Sequence, residues 1–197
     1  MDKSQCILPP APKLIFTPRE EIWVGDNPGL GFLQYPSRGD VLCQRLADAV
    51  PALAGKTFHA LLCGREPDVA NNAYLGLRDR TTDSPGGYVR TDGVHVANNL
   101  DDLLDGSIEN PISMDQDGQL LPDIAVHNVL PVWTGCRADG SSYDYSLQCS
   151  DVGIASWWFR SGIVNAEVGD PSQSDGRWLN SAISTCGPPR HLYCIEQ

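Results

Sequence analysis

Nowhere does the chain hold an apolar run approaching the roughly 20 residues that span a bilayer as a helix. Its longest apolar stretches are of strand length, so no membrane insertion is expected. Positive charge is scarce as well. Fourteen Lys and Arg stand against 25 Asp and Glu, a net charge of −11, which argues against nucleic acid, other polyanions and anionic membranes as partners. There is no Cys-x-x-Cys pair and no His-x-x-x-His, and the four histidines, His59, His95, His127 and His191, share no ligand spacing. A structural zinc site is therefore a poor reading. The strained Gly-x-Ser-x-Gly turn of a serine hydrolase is missing too. His191 lies near Cys194, but on a strand alternate side chains face opposite ways, so it does not orient a thiolate. No catalysis, no metal and no cofactor are expected.

What the chain does have is cysteine. Seven in 197 residues is high for a reducing compartment and ordinary for an exported protein. Structural disulfides are the expectation, and the odd count leaves at least one thiol over. Met1 to Cys6 is not followed by the apolar core of a signal peptide. The expectation is a secreted or cell-surface protein whose export signal has been removed. The 19 Gly and 15 Pro point to many loops and few long helices.

Residues 1–12 read as an extended, Pro-rich tail and 13–197 as one domain without internal repeats. Lys13–Thr17 is a short strand, with Glu20–Val24 continuing the same ribbon. Residues 25–39 are a loop. A helix follows, with Asp40 as its cap and Val41, Leu42, Leu46, Ala49 and Val50 at helical spacing, ended by Pro51 and Gly55. Thr57–Cys63 is a strand buried on both faces. Residues 64–93 are polar and irregular around a turn at Asp83–Gly87. Asn98 and Asn99 cap a short helix through Leu100, Leu103 and Leu104 that Gly106 ends. Ile112–Leu121 is a pair of strand pieces about an Asp-Gly turn. Val132–Gly135 is a strand leading to the turn Ala138–Gly140, and residues 165–177 read as a mobile polar loop. The last strand, His191–Ile195, is expected to be central, with Cys186 and Cys194 seeking partners for which Cys43 and Cys149 are candidates.

The ordered set Gly39-Asp-x-x-Cys43, Gly55-Lys-Thr-Phe-His-Ala-Leu-Leu, Ser113-Met-Asp-Gln-Asp-Gly-Gln-Leu, Val132-Trp-Thr-Gly, Cys149, Cys186 and Leu192-Tyr-Cys-Ile-Glu resembles endostatin, the C-terminal domain of certain basement-membrane collagens. It is still more similar to bacterial surface-protein domains of uncharacterised function that share the C-type-lectin-like fold. The likeness spans residues 13–197. It implies an α+β fold: a compact roll with a twisted, mostly antiparallel mixed sheet, two helices, long loops and two nested disulfides, Cys43–Cys194 and Cys149–Cys186. Cys6, Cys63 and Cys136 lie outside that pattern. Cys63 and Cys136 both stand at strand ends and are candidates for a third bridge.

Several family properties do not carry over. The sugar-binding tripeptides of calcium-dependent lectins are absent, and Glu66-Pro67-Asp68 stands in the wrong place relative to Trp133. Ser113-x-Asp115-x-Asp117-Gly118 resembles the start of an EF-hand loop, but its twelfth position is Ile124, which offers no side-chain oxygen. Asp101, Asp102 and Asp105 read as a solvated helix face. Endostatin's zinc histidines at the N-terminus have no counterpart. Arg65, Arg78, Arg80 and Arg90 form a local basic stretch suited to heparin, against the repulsion of the overall charge.

These observations imply a non-catalytic adhesion module that recognises an extracellular glycan or protein through the irregular segments 64–98 and 137–177. Arg78, Arg80, Tyr88, Arg90, Tyr143, Tyr145, Trp157 and Trp158 are the candidate binding residues, since Tyr, Trp and Arg most often supply interface energy. Trp157-Trp158-Phe159 reads equally as an exposed platform or as a hydrophobic plug. The alternative is a structural domain that self-associates on a surface or filament and has no soluble ligand.

Overall fold

The structure, a computed structural model, describes residues 9–25, 32–66, 73–122, 131–143, 145–150, 157 and 161–197. It is a mixed α+β arrangement. A five-stranded sheet has the order β4-β12-β1-β7-β8, from β1 (Lys13–Phe16), β4 (Phe58–Ala60), β7 (Tyr88–Arg90), β8 (His95–Ala97) and β12 (Cys194–Glu196). The strand near the beginning of the domain thus pairs with the strand at its end. β1 runs antiparallel to β12, with Ile15 opposite Ile195, and parallel to β7, with Leu14 opposite Val89. The last strand is interior, as expected, flanked by β1 and β4. It is shorter than the expected His191–Ile195: Tyr193 O still accepts from Leu61 N at 2.9 Å, while His191 bridges instead to Val132.

Strand alternation sends neighbouring side chains into two cores. Phe16, Phe58, Ala60 and Cys194 join one cluster with Leu42, Cys43 and Ala47 of α1 (Pro36–Asp48). Ile15, Tyr88, Ala97 and Ile195 join a second with Leu100 and Leu103 of α3 (Leu100–Leu103) and with Trp178. Covered on both faces, the sheet needs apolar residues at successive positions, which explains the unbroken apolar runs.

A smaller antiparallel sheet has the order β11-β10-β9, from β9 (Val132–Trp133), β10 (Asn165–Gly169) and β11 (Ala182–Thr185). Here the expectation of a mobile loop over 165–177 is corrected. Residues 165–169 are the central strand, with Ala166 and Val168 in the core. Two further pairs complete the described strands: β2 (Trp23–Val24) with β3 (Phe32–Leu33), parallel, and β5 (Gly64–Arg65) with β6 (Tyr74–Leu75), antiparallel. Residues 64–93 are therefore not irregular throughout; they hold β5, β6, the single-turn helix α2 (Leu77–Arg80) and β7. The helices among the described residues are three, not two.

The start of α1 also differs from expectation. Pro36 opens it, where a missing N–H costs nothing. The cap comes from a distant residue: Glu66 accepts from Ser37 N at 2.5 Å and from Ser37 Oγ at 2.8 Å. Asp40, read as the cap, lies inside the helix and turns toward β4, accepting from Ala60 N at 2.8 Å. Two local readings stand. Asn99 caps α3, accepting from Asp102 N at 2.9 Å. The Asp115–Gly118 turn is held by Asp115 Oδ1, which accepts from Asp117 N and Gln119 N, with Gly118 at φ +74°.

Three disulfides close the domain: Cys43–Cys194, Cys149–Cys186 and Cys63–Cys136. The first two are nested and agree with the pairing that the resemblance implies. The third joins the two cysteines at strand ends; Cys6 lies outside the described residues. Such bridges form in oxidising compartments, consistent with an extracellular protein. No helix among the described residues is long and apolar enough to cross a membrane.

Candidate functional site

An open cavity of about 630 Å³ lies between two loops, residues 74–79 and 139–143. The first loop leaves β6 and enters α2 through Gly76. Asp79 Oδ2 reaches back to accept from Gly76 N at 2.9 Å and fixes the turn. Leu77 N then donates to Gly140 O at 2.8 Å, so the start of α2 is bonded directly to the second loop. This approach requires glycine at 76, because a Cβ there would stand 2.9 Å from Gly140 O.

The second loop is a tight turn. Gly140 N donates to Arg137 O and Arg137 N to Ser141 O, each at 2.9 Å, with Gly140 at φ +74°. Asp139 Oδ1 accepts from Ser141 N at 2.9 Å and from Ser141 Oγ at 2.6 Å. These bonds hold the Asp139 carboxyl below the usual carboxylate range, so it stays ionised. Behind the turn stands the Cys63–Cys136 bridge, with Cys63 Sγ 3.4 Å from Gly140 O.

Tyr143 is fixed from three sides. Asn180 Nδ2 donates to its hydroxyl at 2.8 Å. Buried Gln148 Nε2 donates to its carbonyl at 3.0 Å and to Ser142 Oγ at 2.7 Å. The Arg137 guanidinium lies 4.4 Å from the ring centroid and donates to Ser142 O at 2.7 Å. Tyr74 supplies a second aromatic side chain to the lining. Arg78, about half exposed, reaches from α2 to pair with Asp101. The site thus offers two tyrosines, carboxylates, hydroxyls and a partnered arginine around one opening.

Of the eight binding residues expected from the sequence, Arg78 and Tyr143 meet here. Four others are corrected, because the fold buries them. Arg80 pairs with Asp40 at 2.8 Å and Glu66 at 2.6 Å, its side chain only 7% exposed. Arg90 clamps Asp92 at 2.6 Å and donates to Pro111 O at 3.0 Å. Tyr88 is fully buried, donating to Thr82 O at 3.0 Å, and burial pushes its phenol well up. Trp157 is also fully buried; its Nε1 donates to Cys63 O at 3.0 Å and its ring meets Trp133 edge-on. It is the plug, not the platform. Tyr145 falls in a single 3-10 turn, Tyr145–Leu147, but its side chain and Trp158 lie outside the described residues.

Sequence reasoning missed Tyr74, Asp79, Asp139, Ser141 and Ser142. The Asp-Gly at 139–140 signalled a turn, yet nothing local said that residues 74–79 would meet it. Among the described residues no three His, Cys, Asp or Glu side chains converge as metal ligands. Asp101 and Asp102 are engaged with Arg78 and with Asn98 N, and Asp105 with Ser107. No known protein family matches the chain, and no curated protein matches it in sequence.

Proposed function

We propose that the chain is an endostatin-type, C-type-lectin-like domain and works, without catalysis, as a secreted or surface-displayed binding module. Its recognition site is the cavity between residues 74–79 and 139–143, and its ligand is an extracellular glycan. The fold assignment is supported by the nested Cys43–Cys194 and Cys149–Cys186 bridges and by the interior position of the last strand. The observation that carries the binding reading is the convergence of Tyr74, Arg78, Asp79, Asp139 and Tyr143 on one opening of about 630 Å³. That size lies within the range of small-ligand sites, where a few polar groups orient what aromatic surface holds. A glycan array probed with the native chain tests it. Saturable hits that Tyr143→Ala weakens support the reading; an array without hits defeats it.

A second reading, self-association, is favoured by β11. Cys186 N donates to Val164 O across the β10–β11 ladder at 3.0 Å, so the alternate residues Ile183 and Thr185 turn their backbone groups away from β10. Among the described residues those two N–H groups donate to nothing. Ile183 is 60% exposed on this open edge, the kind of feature through which strands add to one another. Sedimentation at rising concentration, with Ile183→Lys as the comparison, separates the two readings.

A further inference from the structure

The charges around the cavity are not evenly satisfied, and the imbalance identifies a chemical class of ligand. Arg78 is neutralised by Asp101. Arg137 is occupied by the Tyr143 ring and by Ser142 O. The carboxylates of Asp79 and Asp139, by contrast, accept only from backbone N–H groups and a hydroxyl; Arg137 acts on Asp139 through space but donates no hydrogen bond to it. Among the described residues Asp79 Oδ1 and Asp139 Oδ2 accept no hydrogen bond. Two negative charges thus line the opening, each with one oxygen uncommitted, on a chain of net charge −11.

Resting on the reading of this cavity as a glycan site, we propose that it selects a sugar bearing a free, protonated amino group, of the glucosamine type, over neutral or acidic sugars. An ammonium donates charge-assisted hydrogen bonds to the free carboxylate oxygens, which are roughly twice as strong as neutral ones. The long-range field draws cations and repels uronic acids. Tyr74 and Tyr143 bring aromatic surface to the lining, one face of Tyr143 being taken by Arg137, and Ser141 and Ser142 bring polar groups. A lysine side chain brings the same ammonium, but its narrow alkyl stem leaves most of the 630 Å³ and both hydroxyls unused.

The test titrates the intact chain with a glucosamine oligomer, its N-acetylated counterpart, a glucuronate-containing oligomer and a lysine-terminated peptide, read by calorimetry and by the NMR shifts of Gly140 and Tyr143. The glucosamine oligomer binds about ten-fold or more tightly than the N-acetylated one, as expected when a hydrogen bond gains a charge. Asp139→Asn, whose amide oxygen still accepts from Ser141, narrows that preference, and Asp79→Asn combined with it brings the two to near parity. Raising the pH until the sugar amine is neutral does the same in the unaltered chain, so the test does not depend on the variant's folding. Equal affinity for the two oligomers, or preference for the glucuronate, overturns the amine inference while the glycan site stands. No shift at Gly140 or Tyr143 with any sugar overturns both. Binding by the peptide alone assigns the site to protein and overturns the sugar.

Discussion

Leu77 and Gly140 are joined by a backbone hydrogen bond of 2.8 Å, and this contact between residues distant in sequence sets the spacing of the two cavity walls. Directly behind it stands the Cys63–Cys136 bridge, both cysteines fully buried, with Cys63 Sγ 3.4 Å from Gly140 O. The Cys43–Cys194 bridge, at a separation of 151 residues, closes the longest loop and contributes about 5 kcal/mol in the chain-entropy model.

Replacing Cys63 and Cys136 together by alanine should lower stability by about 2–4 kcal/mol and weaken ligand binding more than any other paired cysteine replacement that leaves the chain folded. Non-reducing peptide mapping should still recover Cys43–Cys194 and Cys149–Cys186. A double variant with unchanged affinity would show that the bridge is irrelevant to the cavity.

Arg78 and Arg80 sit on the same short helix and should behave differently. Arg80→Ala strands the Asp40 and Glu66 carboxylates in a buried setting and should cost about 3–5 kcal/mol. The exposed Arg78–Asp101 pair should contribute about 0–1 kcal/mol. Urea unfolding of the two variants checks this; similar losses would contradict the assignment of Arg80 to the interior.

Trp157→Ala should remove about 3–5 kcal/mol of stability, because the ring is fully enclosed against Trp133. Tyr143→Ala should instead weaken ligand binding by about 1–2 kcal/mol, with a melting temperature close to the parent's. Thermal unfolding and calorimetry of both variants decide which aromatic is core and which is wall.

Glu167 adds a pH dependence. Burial raises its carboxyl from the ordinary 4.5 to about 7 in the folded chain. Between those values the folded state holds a proton that the unfolded state has lost, so stability falls as pH rises from about 4.5 to about 7 and is level beyond. Glu167→Gln should therefore raise the melting temperature at pH 8 and have little effect at pH 4. An equal shift at both pH values would show that the carboxyl is not buried uncharged.

The sequence by itself determined what is decided within a few residues. The Asn99 cap, the Asp-Gly turn at 117–118, the body of α1 and the first and last strands all follow from caps, turn residues and periodicity, which act over one or two turns of chain. Even there the helix start was misplaced, because its cap, Glu66, comes from just beyond β5, distant in sequence. Only the tertiary structure decided which polar residues are buried. Arg80 and Arg90 look on paper like surface arginines of a loop; the charge partners of Arg80, Asp40 and Glu66, become visible only once the chain is folded, as does the Pro111 carbonyl to which Arg90 donates. The same holds for β10, a strand containing a buried glutamate that its composition disguises as a polar loop. The cavity belongs to this second class. Its walls meet through a backbone bond with a disulfide standing behind it, and neither leaves a local signature, since a backbone N–H and a cysteine carry no mark of the partner they will find.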